Sequence, residues 1–364
     1  MKTPLHVTLR RLFRTYFYLL IAKLLKTKET KSVVDIKEIK TILIIRPNYR
    51  IGNLIFLTPL INAIHKNMPD VKIDMIVGMK IAGKILEPMP NINKVIDIPR
   101  SLLLHPIELY RFIKEDRQTR YDLAINIVSG SISSQIVAIL CNAKYKASTI
   151  SEQNITPLTH TVEFKGIYKH SGLETLEFLK LFGLAMPKDN LFLDIKLADT
   201  EIQTAQNELK DLLQTHNLAQ KSKTIALFRN ARFDKKIADE WWQEWNEALL
   251  LHDNSIVVID ILSPDILSRL NNKCLEYSNK DLRALSAFFK ACSIYVSADT
   301  GPLHLASASG ANVFALFNKT DVAIYGTLGA DNFTLDINEM SPASVAQNTY
   351  AYLQKSIEHK NKEL

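Results

Sequence analysis

Cysteine, glycine and closely paired aspartates are scarce in this chain, and each scarcity removes a class of function. Cys141, Cys274 and Cys292 stand apart in apolar or mixed segments without metal-ligand spacing. So odd and sparse a set fits reduced thiols in a cytoplasmic protein. Only 11 of the 364 residues are glycine. Neither Gly-x-Gly-x-x-Gly nor a Walker A sequence occurs, so dinucleotide dehydrogenases and P-loop nucleotidases lose their main support. No two aspartates are separated by a single residue, which removes the Asp-x-Asp signature of many metal-dependent sugar transferases. A long apolar run is also lacking. The uncharged centre of the N-terminal segment, Thr15–Ala22, falls far short of the roughly 20 residues that span a bilayer. No small-residue cleavage site follows it, which argues against a signal peptide.

What is present begins with charge. The net charge of +7 comes entirely from residues 1–31, where Lys2, Arg10, Arg11, Arg14, Lys23, Lys26, Lys28 and Lys31 face Glu29 alone. The rest of the chain is neutral overall, so the basic balance does not indicate nucleic acid. Residues 5–26 are apolar and aromatic between basic flanks. Arg10 and Arg14 share a helical face while Lys23 and Lys26 fall nearly opposite, so no clean amphipathic stripe results. The expected role is a helix lying in a membrane interface, its basic side chains reaching to headgroups. The alternative is docking on its own protein. Lys26–Lys40 then reads as a polar linker.

With 47% hydrophobic and 23% charged residues, the remainder has the composition of a folded globular protein, long enough for two domains. From Thr41 an alternating α/β pattern begins. Thr41–Arg46 is a continuous apolar run, as expected of a parallel strand buried on both faces. Pro47–Gly52 reads as a loop and Asn53–Met68 as a helix. Further strands are expected at Ile73–Val77, Lys94–Ile98, Asp122–Val128 and Lys144–Ser148, with a helix at Ser134–Cys141. Gly172–Gly183 reads as helical. A boundary is expected within Leu184–Asp199, which contains Pro187. A second series follows, with strands at Thr224–Phe228, Ser255–Ile261, Ser293–Ser297 and Asn312–Phe317. Its helices are expected at Asp239–Leu251, Asp265–Asn271, Lys280–Cys292, Pro302–Ser309 and Ser341–Glu358. The division is therefore 1–40, 41–186, 187–340 and 341–364.

Ser297–His304, Ser-Ala-Asp-Thr-Gly-Pro-Leu-His, carries the clearest chemistry. Thr300 suits an N-cap, Gly301 a tight turn and Pro302 the first helical position. A helix would thus open at the carboxyl end of a strand, where free N–H groups and the positive dipole end favour a phosphate. Without a ligand the same residues simply cap a helix. Arg46–Asn53 follows a strand of the other half. Ligands in such sheets bind beyond the strand carboxyl ends.

Two segments resemble glycosyltransferase family 9, the lipopolysaccharide heptosyltransferases. Ile42–Pro59, ILIIRPNYRIGNLIFLTP, is similar to the family's opening strand, basic residue, loop, Gly-Asp and helix. Val296–Phe317, VSADTGPLHLASASGANVFALF, is similar to its Asp-Thr-Gly-Pro-x-His signature, and Thr320–Gly326 continues it. The resemblance implies an α/β GT-B fold, with two Rossmann-like domains facing a central cleft. It implies inverting, metal-independent transfer of heptose or a related sugar from a nucleotide-diphosphate donor, ADP-heptose in the best-known members, with no cofactor. The acceptor would be lipid-linked or an anionic glycan at the inner face of the inner membrane.

On the donor side the resemblance places Asp299, Thr300, Gly301, His304, Lys235 and Asn230, with Lys236 beside Lys235. Ser263 and Asp265 are the nearest polar residues to the position that holds the ribose. Arg46, Arg50 and Gly52 fall on the acceptor side. Asn53 stands where the family has its proposed general base, and an amide has no titratable oxygen near neutral pH; capping the following helix is its other possible role. A catalytically impaired donor-binding or scaffolding protein is therefore the alternative, and a GT-B-like sugar epimerase a third reading.

Overall fold

The apolar runs of five or six residues become the inner strands of two parallel sheets. The computed structural model describes residue 16 and residues 33–363, apart from 79, 100, 103–104, 117–118, 129, 151–157, 190, 219–222 and 267. The basic segment 1–31 therefore lies outside the described residues except for Tyr16. Among the described residues no helix is long and apolar enough to cross a membrane. Contacts divide the chain into two units. One comprises residues 1–49, 60–167 and 174–187; the other comprises 50–59, 168–173 and 188–364.

In chain order the first part holds β1 (Thr41–Arg46), α1 (Ile51–Ile55), α2 (Thr58–Asn67), β2 (Lys72–Val77), α3 (Lys80–Leu86) and β3 (Ile92–Asp97). Then follow α4 (Pro106–Asp116), β4 (Tyr121–Asn126), α5 (Ile132–Leu140), β5 (Ala143–Thr149), β6 (His160–Val162) and α6 (Ser171–Glu174), continued by a 3₁₀ turn at Thr175–Phe182. The six strands pair in parallel in the order β3-β2-β1-β4-β5-β6. Leu43 and Ile45 of β1 join Leu109, Ile136 and Val137 in one core, while Ile42 and Ile44 are equally buried on the opposite face. Val34 and Ile39 of the expected linker are buried too, and Val34 N donates to Leu181 O at 2.8 Å.

The second part holds α7 (Asp199–Thr215), β7 (Thr224–Phe228), α8 (Asp239–His252), β8 (Val257–Ile261), β9 (Leu275–Tyr277) and α9 (Leu282–Ala291). It continues with β10 (Ile294–Ala298), α10 (Gly301–Ala308), β11 (Val313–Phe317), α11 (Val322–Tyr325), β12 (Phe333–Asp336) and α12 (Pro342–Glu363). Its parallel sheet runs β12-β11-β10-β7-β8-β9. Counted from its own first strand, this is the same doubly wound order as the first sheet. Alternation along β7 divides the core: Ala226 and Phe228 pack with α7, α9 and α10, whereas Ile225 and Leu227 pack with α8 and α12.

Three expectations are corrected. The helix expected over Asn53–Met68 is two helices, because Pro59 supplies no N–H to continue the ladder; Phe56 and Leu57 turn between them. Asn53 caps nothing: α1 starts at Ile51 with Arg50 at the N-cap, and Asn53 is its third residue. Asp265–Asn271 is not helical. An antiparallel bridge joins Ser263 to Ile266, and Leu270 N donates to Asp260 Oδ2 at 2.7 Å, which diverts the backbone.

Candidate active site

In both sheets the chain reverses direction of travel between the first and fourth strands, the point where doubly wound sheets open a crevice at their carboxyl ends. In the second sheet those strands are β7 and β10, paired with Ser297 beside Phe228. Asp299 and Thr300 follow β10 directly, and the loop 229–238 follows β7. Thr300 is the N-cap of α10: its hydroxyl accepts from Leu303 N at 3.3 Å, and Pro302 sits in the first turn. The first N–H groups of a helix have no partner within it, and its dipole places partial positive charge there.

Asp299 is the centre of the site. Lys235 Nζ donates to its Oδ2 at 2.5 Å and Thr320 Oγ1 to the same atom at 2.6 Å, while His304 Nε2 lies 3.5 Å from Oδ1. Burial raises the pKa of this carboxyl, but the hydrogen bonds from His304, Lys235 and Thr320 outweigh it and bring it down to about 2. Asp299 thus stays ionised, with its charge answered by its neighbours. That arrangement removes the repulsion a bare carboxylate would offer an incoming diphosphate. It also fixes Lys235, which remains 30% exposed, whereas neighbouring Lys236 is turned to solvent.

His304 is buried on the next turn of α10. Its ring meets Phe56 edge-on at 4.6 Å, and Phe56 in turn meets His170 at 5.4 Å. Gly52 makes this approach possible, since a Cβ there would come within 3.0 Å of His304 Cδ2. His170 accepts from Gly172 N through Nδ1 at 3.0 Å, so its Nε2 carries the proton donated to Gly326 O at 2.8 Å. Burial lowers the pKa of this imidazole; the Gly326 carbonyl opposes the shift and the neighbouring His304 adds to it.

Asn230 joins the loops after β7 and β8, with Nδ2 3.4 Å from Ser263 Oγ and 3.3 Å from Asp265 Oδ2. Behind it Arg229 donates to Asp260 Oδ2 at 2.9 Å and to Ser268 O at 2.6 Å, and pairs with Asp239 at 2.8 Å. These bonds tie the two loops together.

The structure therefore gathers Asp299, Thr300, Gly301, His304 and Lys235 at one place, with Asn230, Ser263 and Asp265 on adjoining loops. Gly52 and Asn53 belong by contacts to this unit rather than to the unit of Arg46. Asn53 is half-buried and Arg50 exposed. Thr320, Phe56 and His170 were missed by sequence reasoning. Only Thr320 left a trace, as the first residue of Thr-Asp before α11, whose N-cap is Asp321. Among the described residues no group of three metal-ligating side chains comes together.

Two doubly wound parallel units of this kind make a GT-B-like α/β fold. The model of "Glycosyltransferase family 9 (heptosyltransferase)" matches residues 109–352, so the chain belongs to that family and is a glycosyltransferase. No curated protein matches it by sequence. Among solved structures it is similar to the glycosyl transferase family 9 protein of Veillonella parvula DSM 2008. That pair is 17% identical with a TM-score of 0.74, over 90% of this chain and 100% of the other. It is also similar to E. coli ADP-heptose lps heptosyltransferase II, 18% identical with a TM-score of 0.67 over 86% and 99% of the two chains. E. coli heptosyltransferase WaaC with ADP is 19% identical, with a TM-score of 0.67 over 87% and 99%.

Proposed function

We propose that this glycosyltransferase moves heptose or a related sugar from a nucleotide-diphosphate donor, ADP-heptose first among candidates, to a lipopolysaccharide-core or other surface glycan. The reaction is a single inverting displacement that needs no metal. An acceptor hydroxyl attacks the anomeric carbon, the bond from that carbon to the diphosphate oxygen breaks, and nucleoside diphosphate leaves with the electron pair. Lys235 and the N–H groups at the start of α10 meet the charge that grows on the leaving group. Asn230, Ser263 and Asp265 face the nucleoside end. The observation that carries this reading is the Lys235–Asp299–Thr320–His304 cluster at the reversal point of the second sheet. WaaC, of similar fold, was solved with ADP and with ADP-2-deoxy-2-fluoro heptose.

The hydroxyl proton passes to a group other than the Asn53 amide, which cannot accept it. Incubation with nucleotide sugars and extracted acceptor is expected to yield nucleoside diphosphate and glycosylated acceptor together. Nucleotide binding without transfer from any donor would sink the reading, and turnover without acceptor would indicate an epimerase. Asn53 favours a second reading, a catalytically impaired donor-binding or scaffolding protein. On our reading Asn53→Asp changes the rate less than about tenfold, below the 10²–10⁴ that a positioned base supplies. A gain in that upper range supports the second reading instead.

Residues 1–31 hold the protein to the cytoplasmic face of the inner membrane. Their deletion is expected to abolish sedimentation with anionic vesicles while leaving nucleotide affinity intact; unchanged sedimentation would rule the anchor out.

A further inference from the structure

We propose that His170 is a positioning residue of the donor site: its bond to Gly326 holds α11 so that Thr320 stays on Asp299. Its role rests on the donor-site reading of Asp299. α11 follows Thr320 almost directly and buries none of its own residues, so packing does little to hold it. The turn itself is well made. Asp321 Oδ1 accepts from Ala323 N at 2.8 Å, and Val322 O accepts from Gly326 N at 2.8 Å. A closed turn of this kind moves as one piece, and the bonds at its two ends decide where it sits.

Both ends are fastened. At the first, Thr320 Oγ1 donates to Asp299 Oδ2 at 2.6 Å. At the second, Gly326 O accepts from His170 Nε2 at 2.8 Å, and both of these residues are buried. His170 is held in turn: its Nδ1 accepts from Gly172 N at 3.0 Å, and Phe56 lies edge-on to it at 5.4 Å. Phe56 also meets His304 at 4.6 Å, and His304 Nε2 lies 3.5 Å from Asp299 Oδ1. The contacts close a ring. It runs from Asp299 through His304, Phe56, His170 and Gly326, then back along α11 to Thr320 and Asp299. Every member belongs to the same unit of the chain.

The consequence falls on Lys235, which shares one oxygen of Asp299 with Thr320. If Thr320 withdraws, that oxygen binds the Lys235 ammonium alone and holds it back from an incoming phosphate. The Thr320 bond thus leaves more of Lys235 to the ligand, and the His170–Gly326 bond keeps Thr320 within reach. Gly172 lets the ring of contacts close. A Cβ there would come within 3.1 Å of Phe56 and 3.2 Å of the His170 imidazole, closer than ordinary contact.

The test is calorimetric titration of the full chain with ADP and with UDP, followed through the variants with the tighter of the two. An amide can replace one imidazole nitrogen but not both. His170→Gln carries its NH₂ where Nε2 stands and keeps the bond to Gly326 O; His170→Asn carries its oxygen where Nδ1 stands and keeps only the bond from Gly172 N. His170→Asn and Thr320→Val should each weaken nucleotide binding by about 3- to 10-fold, the usual worth of one hydrogen bond. His170→Gln should weaken it by about twofold or less. Because both residues act on one link, His170→Asn combined with Thr320→Val should bind about as well as the weaker single variant. Equal losses for His170→Gln and His170→Asn, or losses that multiply in the double variant, would mark a packing role and overturn the proposal. Gly172→Ala, which presses on the imidazole without removing it, covers the case in which His170→Asn does not fold. It should also weaken binding, and affinity equal to that of the unaltered chain would overturn the proposal. A loss with Thr320→Val but none with His170→Asn overturns the role of His170 alone. Binding that Thr320→Val leaves unchanged overturns the donor-site reading of Asp299 and the role of His170 with it.

Discussion

Lys235→Ala is expected to lower kcat/KM for sugar transfer by about 10²–10³, the effect of removing one preorganised donor from a charge-developing centre. The loss has two sources. The cation that meets the leaving diphosphate disappears, and Asp299 keeps its charge with only Thr320 and His304 beside it. A buried carboxylate without its cation then repels the ligand it formerly helped to hold. Lys235→Ala combined with Asp299→Asn should therefore be less impaired than the sum of the two single losses, because the second change removes that repulsion. Lys236→Ala, at an exposed position, should change the rate by about twofold or less. Initial rates with saturating acceptor check all four variants. Equal effects of Lys235→Ala and Lys236→Ala would contradict the assignment.

Trp245→Ala is expected to cost about 3–5 kcal/mol of stability, the usual range for emptying a buried aromatic site. Trp245 is 0% exposed between the sheet and α12, edge-on to Trp242 at 5.5 Å. Its Nε1 donates to Thr349 Oγ1 at 3.2 Å, so it both fills the layer and fastens α8 to α12. The cavity cannot collapse easily, because Trp242, Leu249 and Leu353 around it are themselves fully buried. For a unit of this size the loss corresponds to a fall in Tm of roughly 6–20 °C. Trp241→Ala, at a half-buried position, should cost clearly less. Scanning calorimetry separates the cases, and an unchanged melting temperature for Trp245→Ala would contradict the packing described.

β1, β7, β10 and β11 were legible because each is a mostly apolar run flanked by polar or turn residues. β6, β9 and β12 were not, being edge strands of three or four residues with mixed burial. α7 went unread because its long polar face hides a narrow stripe of Ala205, Leu209 and Leu213. Around the site, Thr300, Gly301 and Pro302 spell a capped helix locally, so the position of α10 could be read from eight residues. The partners of Asp299 could not. Lys235 lies 64 residues away and Thr320 21 residues away, and only the register of β7, β10 and β11 brings them together. Arg46 was legible as the cation that ends β1; that its Nε has no acceptor among the described residues depends on the packing around it.

A crystal structure of the chain with a bound nucleoside diphosphate measures the central claim most directly. The account predicts phosphate oxygens within hydrogen-bonding distance of Lys235 Nζ and of the Gly301 N–H at the start of α10. Phosphates seated away from Asp299–His304, with the Lys235–Asp299 pair untouched, would contradict it.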